Sequence, residues 1–232
     1  MLDIAAEFEE RGFCLARKIA AADEIGRLKT ALAHSEIARA KRVGQTYGAR
    51  NLLHLADVRS VAASPKITAC LQMLLGPTFR VVRGIFFDKT DNANWPVPWH
   101  QDLSLAVRER RDLPGWSNWT VKRGVTHVQP PAEILGRMVT MRLHMDDCPS
   151  SNGPLRVIPG SHRRGLLRRD EIAAEAQSPA TPIVAQAGDA LFMRPLILHA
   201  SSPAQRPNHR RVLHLEFAPV GLLPRELDWA EA

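Results

Sequence analysis

From Phe79 onward the apolar residues fall into short runs separated by Gly, Pro, Asn and Asp, which is the pattern of β-strands divided by turns. Phe79–Asp88, rich in Val, Ile and Phe, is the first such run. It is followed by Pro96–Leu105, Met138–Met145, Leu155–Ile158, Thr181–Ala185, Ala190–Arg194, Ile197–Ala200 and Arg211–Phe217. Before Phe79 the period is helical: residues 2–11 and 21–39 carry Ala, Glu, Leu and Arg, with apolar residues at Ile25, Leu28, Leu32 and Ile37. Ala22-Asp23 supplies an N-cap, and Pro65–Leu75 reads as a third helix stopped by Gly76-Pro77. Gly12–Ala16 predicts a short strand, 40–51 a polar loop and 170–177 a short helix. Residues 106–136 mix prolines, glycines, two tryptophans and many charges without a period, so a long lid-like loop is expected there. Helices first and about eight strands after predict a mainly β fold with flanking α-helices: a β-sandwich or jelly roll buttressed by N-terminal helices. No linker divides the chain, so one domain is expected over 1–232, with the helical buttress at 1–78 and the core at 79–220.

One strand carries chemistry. In Pro98-Trp99-His100-Gln101-Asp102 a histidine and an acid stand two apart, and residues i and i+2 of an extended strand point to the same side. One imidazole nitrogen and one carboxylate oxygen are two-thirds of a facial metal triad. Gln101 lies on the opposite side, where it can brace the site. Among nine histidines, His199 is the best-placed third ligand: a glycine turn at Gly188 leads into an apolar strand, and His199 ends the segment just before Ser201-Ser202-Pro203. Arg210 opens the next strand. Taken alone it reads as a surface arginine. Taken with the histidines and Asp102, its planar fork suits the far carboxylate of a dicarboxylate that chelates a metal at the other end.

Composition narrows the classes. Hydrophobic content of 45% and charged content of 24% are those of a globular protein, and no apolar run approaches the roughly 20 residues of a membrane span. The N-terminus carries acids where an export signal carries basic residues, so a cytoplasmic location is expected. Cys14, Cys70 and Cys148 are scattered and odd in number, which suggests buried thiols and neither a disulfide framework nor a zinc knuckle. A net charge of +7 raises nucleic acid as a partner. The basic clusters at Arg108–Arg111 and Arg163–Arg169 are interrupted, however, and no aromatic stacking platform accompanies them, which disfavours that partner. A small-molecule substrate is expected, and oligomeric state stays open.

Four segments in order carry a resemblance: Trp99-His100-Gln101-Asp102; Asn152-Gly153-Pro154-Leu155 leading to Pro159-Gly160-Ser161-His162; Gly188-Asp189 through His199; and Arg210. Together they resemble the phytanoyl-CoA dioxygenase family of non-haem Fe(II)/2-oxoglutarate oxygenases, whose core is a double-stranded β-helix. The resemblance implies Fe(II), 2-oxoglutarate and O₂ as cofactor and co-substrates, with His100, Asp102 and His199 as iron ligands. It implies that Arg210 pairs with the distal carboxylate of 2-oxoglutarate, that Ser201 assists it, and that Arg83 is a further co-substrate contact. Relatives that halogenate replace the acidic ligand, so Asp102 implies hydroxylation of an unactivated C–H, with release of succinate and CO₂. Where relatives often place tryptophan, this chain has Arg142, with His144 on the same strand side. Arg142, His144 and His127 are therefore candidate substrate contacts; alternatively, Arg142 pairs with Asp146 or Asp189. The competing functions are a non-catalytic jelly-roll binding protein and an oxygenase acting on a macromolecule.

Overall fold

The computed structural model describes residues 4–34, 39–42 and 45–231. Helix α1 (Ile4–Arg11) leads into β1 (Phe13–Ala16), then α2 (Ala22–His34), β2 (Arg39–Arg42), β3 (Gln45–Arg50), α3 (Ala56–Ala62) and α4 (Pro65–Leu75). Strands β4 (Phe79–Lys89), β5 (Val97–His100), β6 (Leu105–Val107), β7 (Ser117–Lys122) and β8 (Val125–Gln129) follow, then α5 (Ala132–Gly136) and β9 (Val139–His144). The chain closes with β10 (Leu155–Val157), α6 (Arg169–Glu175), β11 (Thr181–Pro182), β12 (Ala190–Met193), β13 (His199–Ser201) and β14 (Arg210–Pro219). The predicted helix positions 2–3 and 35–38 lie outside the described residues. No helix among the described residues is long and apolar enough to cross a membrane.

Seven strands form the major sheet in the order β1-β12-β9-β14-β4-β3-β2, and four form the minor sheet, β11-β10-β13-β5. This is the expected jelly roll, mainly β with flanking helices. Period-2 alternation gives the major sheet two different sides. On the outer side Cys14, Phe192, Met141, Leu143, Leu213, Leu215 and Phe217 pack with Phe8, Leu28, Ile67 and Leu71 of the helices into one buried cluster. Each such side chain contributes about 1.5–3 kcal/mol by leaving water. On the inner side, apolar residues fill only one end, where Phe13, Leu191 and Met193 meet Leu155, Val157 and Ile197. The rest of that side mixes polar and charged residues with Ile85 and Phe87, and it faces the site.

Three expectations are corrected. Residues 106–136 are not a loop, because β6, β8 and β7 pair into a third sheet and α5 follows them. The hairpin between β7 and β8 turns on Arg123 and Gly124, with φ of 52° and 79°; left-handed geometry at both central residues is that of a tight two-residue turn, here with Arg where Asn is commoner. The region also has its own core, in which Leu105, Val107 and Val128 pack with Leu135, Met138 and Trp229, and Trp116 and Trp119 lean on it. Second, the segment 40–51 contains β2 and β3, which extend the major sheet past β4. With β1 at the opposite edge, the N-terminal part is therefore not purely a helical buttress. Third, the strand predicted over Pro96–Leu105 ends at His100 and resumes only at Leu105, so Asp102 lies in the connection between strands. The three cysteines are free and buried, as expected.

Gly188 shows how tightly the helical layer is joined to the sheet. Its φ is +88°, and a Cβ there would sit 2.5 Å from the Ala20 carbonyl oxygen, while the Ile19 and Ala20 amides both donate to the Gly188 carbonyl. Gly188→Ala is expected to destabilise the fold by roughly 2–3 kcal/mol. At roughly 2–4 °C per kcal/mol for a chain of this size, thermal unfolding should fall by several degrees. An unchanged Tm would show that the turn relaxes freely.

Candidate metal centre

His100 and His199 meet because β13 and β5 are antiparallel neighbours in the minor sheet, in a register that sets one directly opposite the other. Their rings lie 4.2 Å apart between centroids, tilted by 51°. Asp102 reaches the same point from the connection after β5, held there by its amide, which donates to the Pro195 carbonyl at 2.9 Å. Its Oδ1 is 3.9 Å from His100 Nε2 and its Oδ2 is 3.8 Å from His199 Nε2. One donor atom from each of the three residues falls within 4.8 Å of the others.

The other ring nitrogens fix the protonation pattern. His100 Nδ1 lies 2.8 Å from the Pro98 carbonyl oxygen and His199 Nδ1 lies 3.0 Å from that of Ile197. A carbonyl only accepts, so Nδ1 carries the proton and the Nε2 lone pair is free for a metal. Burial pushes the His199 imidazole down to about 4, with His100 adding to the shift, so it is neutral at ordinary pH. For Asp102 burial acts upward, but the neighbouring His199, His214, His100 and Arg83 outweigh it and hold the carboxyl well below the usual carboxylate range. Asp102 Oδ2 is buried without a hydrogen-bond partner. Two imidazoles with Nδ1 turned to carbonyls and an ionised carboxylate with an unsatisfied oxygen, all on one side of a point, fit a divalent iron ion. Gln101 braces the arrangement from behind: its amide nitrogen donates to the carbonyls of Gly165 (2.8 Å) and Leu196 (2.7 Å), and its oxygen accepts from the Leu167 amide.

The triad opens into a cavity of about 330 Å³ between the two sheets, which Lys122 of the third sheet also borders. Six cationic side chains line it (Arg50, Arg83, Lys89, Lys122, Arg142 and Arg210), and Asp102 is the one lining acid among the described residues. Arg210 and Lys89 pair across β14 and β4. The Arg210 guanidinium donates to the Gly153 carbonyl, has no acid partner among the described residues, and leaves its Nε without a partner. Gly153 has φ +56°, and a Cβ there would strike the Ser202 carbonyl oxygen at 2.5 Å, so the Asn152-Gly153-Pro154 turn is shaped to present that carbonyl. Ser201 Oγ accepts from Lys89 Nζ at 3.0 Å. Lys89 stacks its ammonium over the Trp95 ring at 5.3 Å. Burial first, then Arg210 and Arg142, lower its pKa to about 7.

Arg142 pairs with neither Asp146 nor Asp189. Asp146 is taken by Arg211 and Lys29, and Asp189 by Arg17 and the Lys18 and Gln186 amides. Arg142 instead donates to His214 Nδ1 at 3.1 Å and lies over the Phe87 ring. His214 Nε2 is 3.3 Å from Glu216, and Glu216 pairs with Arg83, which also donates to the Ser104 carbonyl at 2.9 Å. Arg83, Arg142 and Ser201 line the cavity. His144 and His127 do not line it. His144 is buried in β9 with both ring nitrogens unpartnered, its pKa pushed down to about 3 by burial and by Arg142 and Arg210. His127 sits in β8, with Nδ1 on the Val125 carbonyl.

Sequence reasoning missed Lys89, His214 and Glu216, although the signal was there: counting by twos from Arg83 along β4 reaches Lys89, and from Arg210 along β14 reaches His214 and Glu216. Arg50 and Lys122 had no such signal, because neither segment reads as a strand.

A model of the family described as Phytanoyl-CoA dioxygenase (PhyH) matches residues 8–212. The chain belongs to the phytanoyl-CoA dioxygenase family. This is the family whose motifs the sequence resembles, one of iron- and 2-oxoglutarate-dependent oxygenases, and the triad fits that iron. The chain is 32% identical over 97 residues to a methylphosphonate hydroxylase of Gimesia maris, a match covering 39% of this chain and 37% of that protein. It is 29% identical over 131 residues to phytanoyl-CoA dioxygenase domain-containing protein 1 of Mus musculus, covering 56% of this chain and 37% of that protein. The matches thus span little more than a third of either curated relative. Among solved structures, HygX from Streptomyces hygroscopicus, crystallised with nickel and 2-oxoglutarate, has the same fold, with a TM-score of 0.68 at 15% identity over 95% of this chain and 88% of that one.

Proposed function

We propose that this chain is an Fe(II)/2-oxoglutarate-dependent hydroxylase of a small molecule. His100, Asp102 and His199 are its iron ligands. Arg210, with Ser201 and Lys89 beside it, takes the distal carboxylate of 2-oxoglutarate. The observation that carries this reading is the pairing of a three-donor centre with a buried arginine that lacks an acid, both opening on one cavity. Bound iron would supply the oxidising power, coupling decarboxylation of 2-oxoglutarate to succinate and CO₂ with transfer of an oxygen atom from O₂ to a substrate C–H.

The protein's own work is positioning and shielding. The carbonyls of Pro98 and Ile197 hold the imidazoles in the metal-binding tautomer. The three donors would hold iron from one side, leaving its other side open to the cavity. Arg210 offers two parallel N–H groups to a carboxylate, fixing its position as well as its charge. Lys122, at the end of β7, and Ser104, in the connection after β5, border the cavity beside the triad. Hydroxylation is favoured over other oxidative outcomes because the carboxylate ligand is present and because the Gimesia maris relative is a hydroxylase. Aerobic incubation with Fe(II) and 2-oxoglutarate, with succinate as readout, tests the reading. Slow succinate release, abolished by omitting iron, is expected; its absence together with failure to retain Fe(II) anaerobically would leave a non-catalytic binding protein as the better description.

A further inference from the structure

The cavity's cations fall into two groups at opposite ends. Arg142, His214, Ile85 and Arg50 occupy one row across β9, β14, β4 and β3. At about 4.8 Å per strand, the row separates Arg142 from Arg50 by roughly 14 Å. Arg210, Lys89 and Arg142 belong to one end. Arg50, Arg83 and Lys122 act on one another and form the other. Arg83 is already paired with Glu216. Arg50 and Lys122 have no ion pair or side-chain hydrogen bond among the described residues. Burial, and then Arg83 and Arg123, lower the pKa of Arg50, and burial with Arg50 and Arg83 does the same for Lys122, so each cation is held against the repulsion of the others. For Arg50, which is partly buried, such an arrangement is costly unless an anion completes it.

We propose that the Arg50–Lys122 end binds the substrate's anionic group, so that the substrate is a compact phosphonate, phosphate or carboxylate whose carbon chain extends toward the triad. This rests on the reading that 2-oxoglutarate occupies the Arg210 end, since its two carboxylates offset that end only. The volume agrees: about 330 Å³ must hold both molecules, which leaves room for a short substrate.

The test is calorimetric titration of the anaerobic Fe(II) protein, with and without saturating 2-oxoglutarate, using n-propylphosphonate, butyrate and 1-butanol as probes. The expected result is that one or both anions bind the 2-oxoglutarate-loaded protein and that 1-butanol does not. Arg50→Met should weaken anion binding at least tenfold, Arg50→Lys should restore part of it, and Lys122→Met should weaken it less, because Lys122 is exposed at the rim. The surface variant Arg169→Gln controls for net charge. A phosphonate preference over butyrate, or the reverse, identifies the anion class. The proposal is overturned if 1-butanol binds as tightly as the anions, if none of the three binds, or if anion binding is lost in Arg210→Leu but kept in Arg50→Met. Should 2-oxoglutarate itself fail to bind, the functional reading falls, and the same comparison of Arg50→Met with Arg210→Leu on the metal-free protein still decides where the anion sits.

Discussion

His199→Ala is expected to abolish both iron retention and succinate formation. The substitution removes one of three donors and leaves His100 and Asp102 as the remaining pair. Loss of a residue that merely orients a ligand typically costs 10–100-fold in metal affinity or activity, so loss of the ligand itself should exceed about 100-fold. The mutant should still fold. Its neighbour Leu198, not His199, belongs to the apolar cluster with Ile158 and Leu167, and the one described side-chain hydrogen bond of His199 is to the carbonyl two residues back. Metal analysis after anaerobic desalting, beside a thermal melt of the metal-free protein, separates the two effects. Stoichiometric iron in the variant would remove His199 from the ligand set.

Arg210→Leu should raise the KM for 2-oxoglutarate by about two orders of magnitude, the equivalent of losing roughly 3 kcal/mol of charge-assisted hydrogen bonding. Lys89 should add a pH dependence at the same end. Its free pKa is about 7, set by burial, Arg210 and Arg142, with Cys148 acting in the opposite direction. A carboxylate arriving beside Arg210 favours the ammonium and raises that pKa. Affinity for 2-oxoglutarate should therefore be greatest below pH 7 and weaken as pH rises through and above 7, with protons taken up on binding in that window. Lys89→Met should flatten the profile. A wild-type affinity constant from pH 6.5 to 9 would mean that Lys89 does not meet the co-substrate.

The period of each segment explains how much of the fold is legible in the amino-acid sequence. β4 and β14 announce themselves, since long Val-, Ile- and Leu-rich runs fill a sheet buried on its outer side. The third sheet does not. β7 carries mostly exposed polar residues, and its hairpin turns on Arg-Gly, so neither the alternation nor the usual turn residue is present. The short β5 reads as too long for the opposite reason: the apolar Leu103 and Leu105 continue the pattern of a strand that has already ended at His100.

The sequence by itself determined the ingredients of the site. His100 and Asp102 stand two apart, which commits them to one side of a nearly extended segment whatever else the chain does. The glycine turns at Gly153 and Gly188 follow equally from local backbone sterics. Only the tertiary structure decided what these residues meet. The antiparallel register of β13 against β5 brings His199 opposite His100, and a slip of one residue would turn it away from the cavity. The pairing of β3 onto β4 and the folding of β7 over the cavity likewise bring Arg50 and Lys122 to an end opposite Arg210. Those contacts join residues far apart in the chain, through hydrogen-bond register and burial that no local pattern encodes.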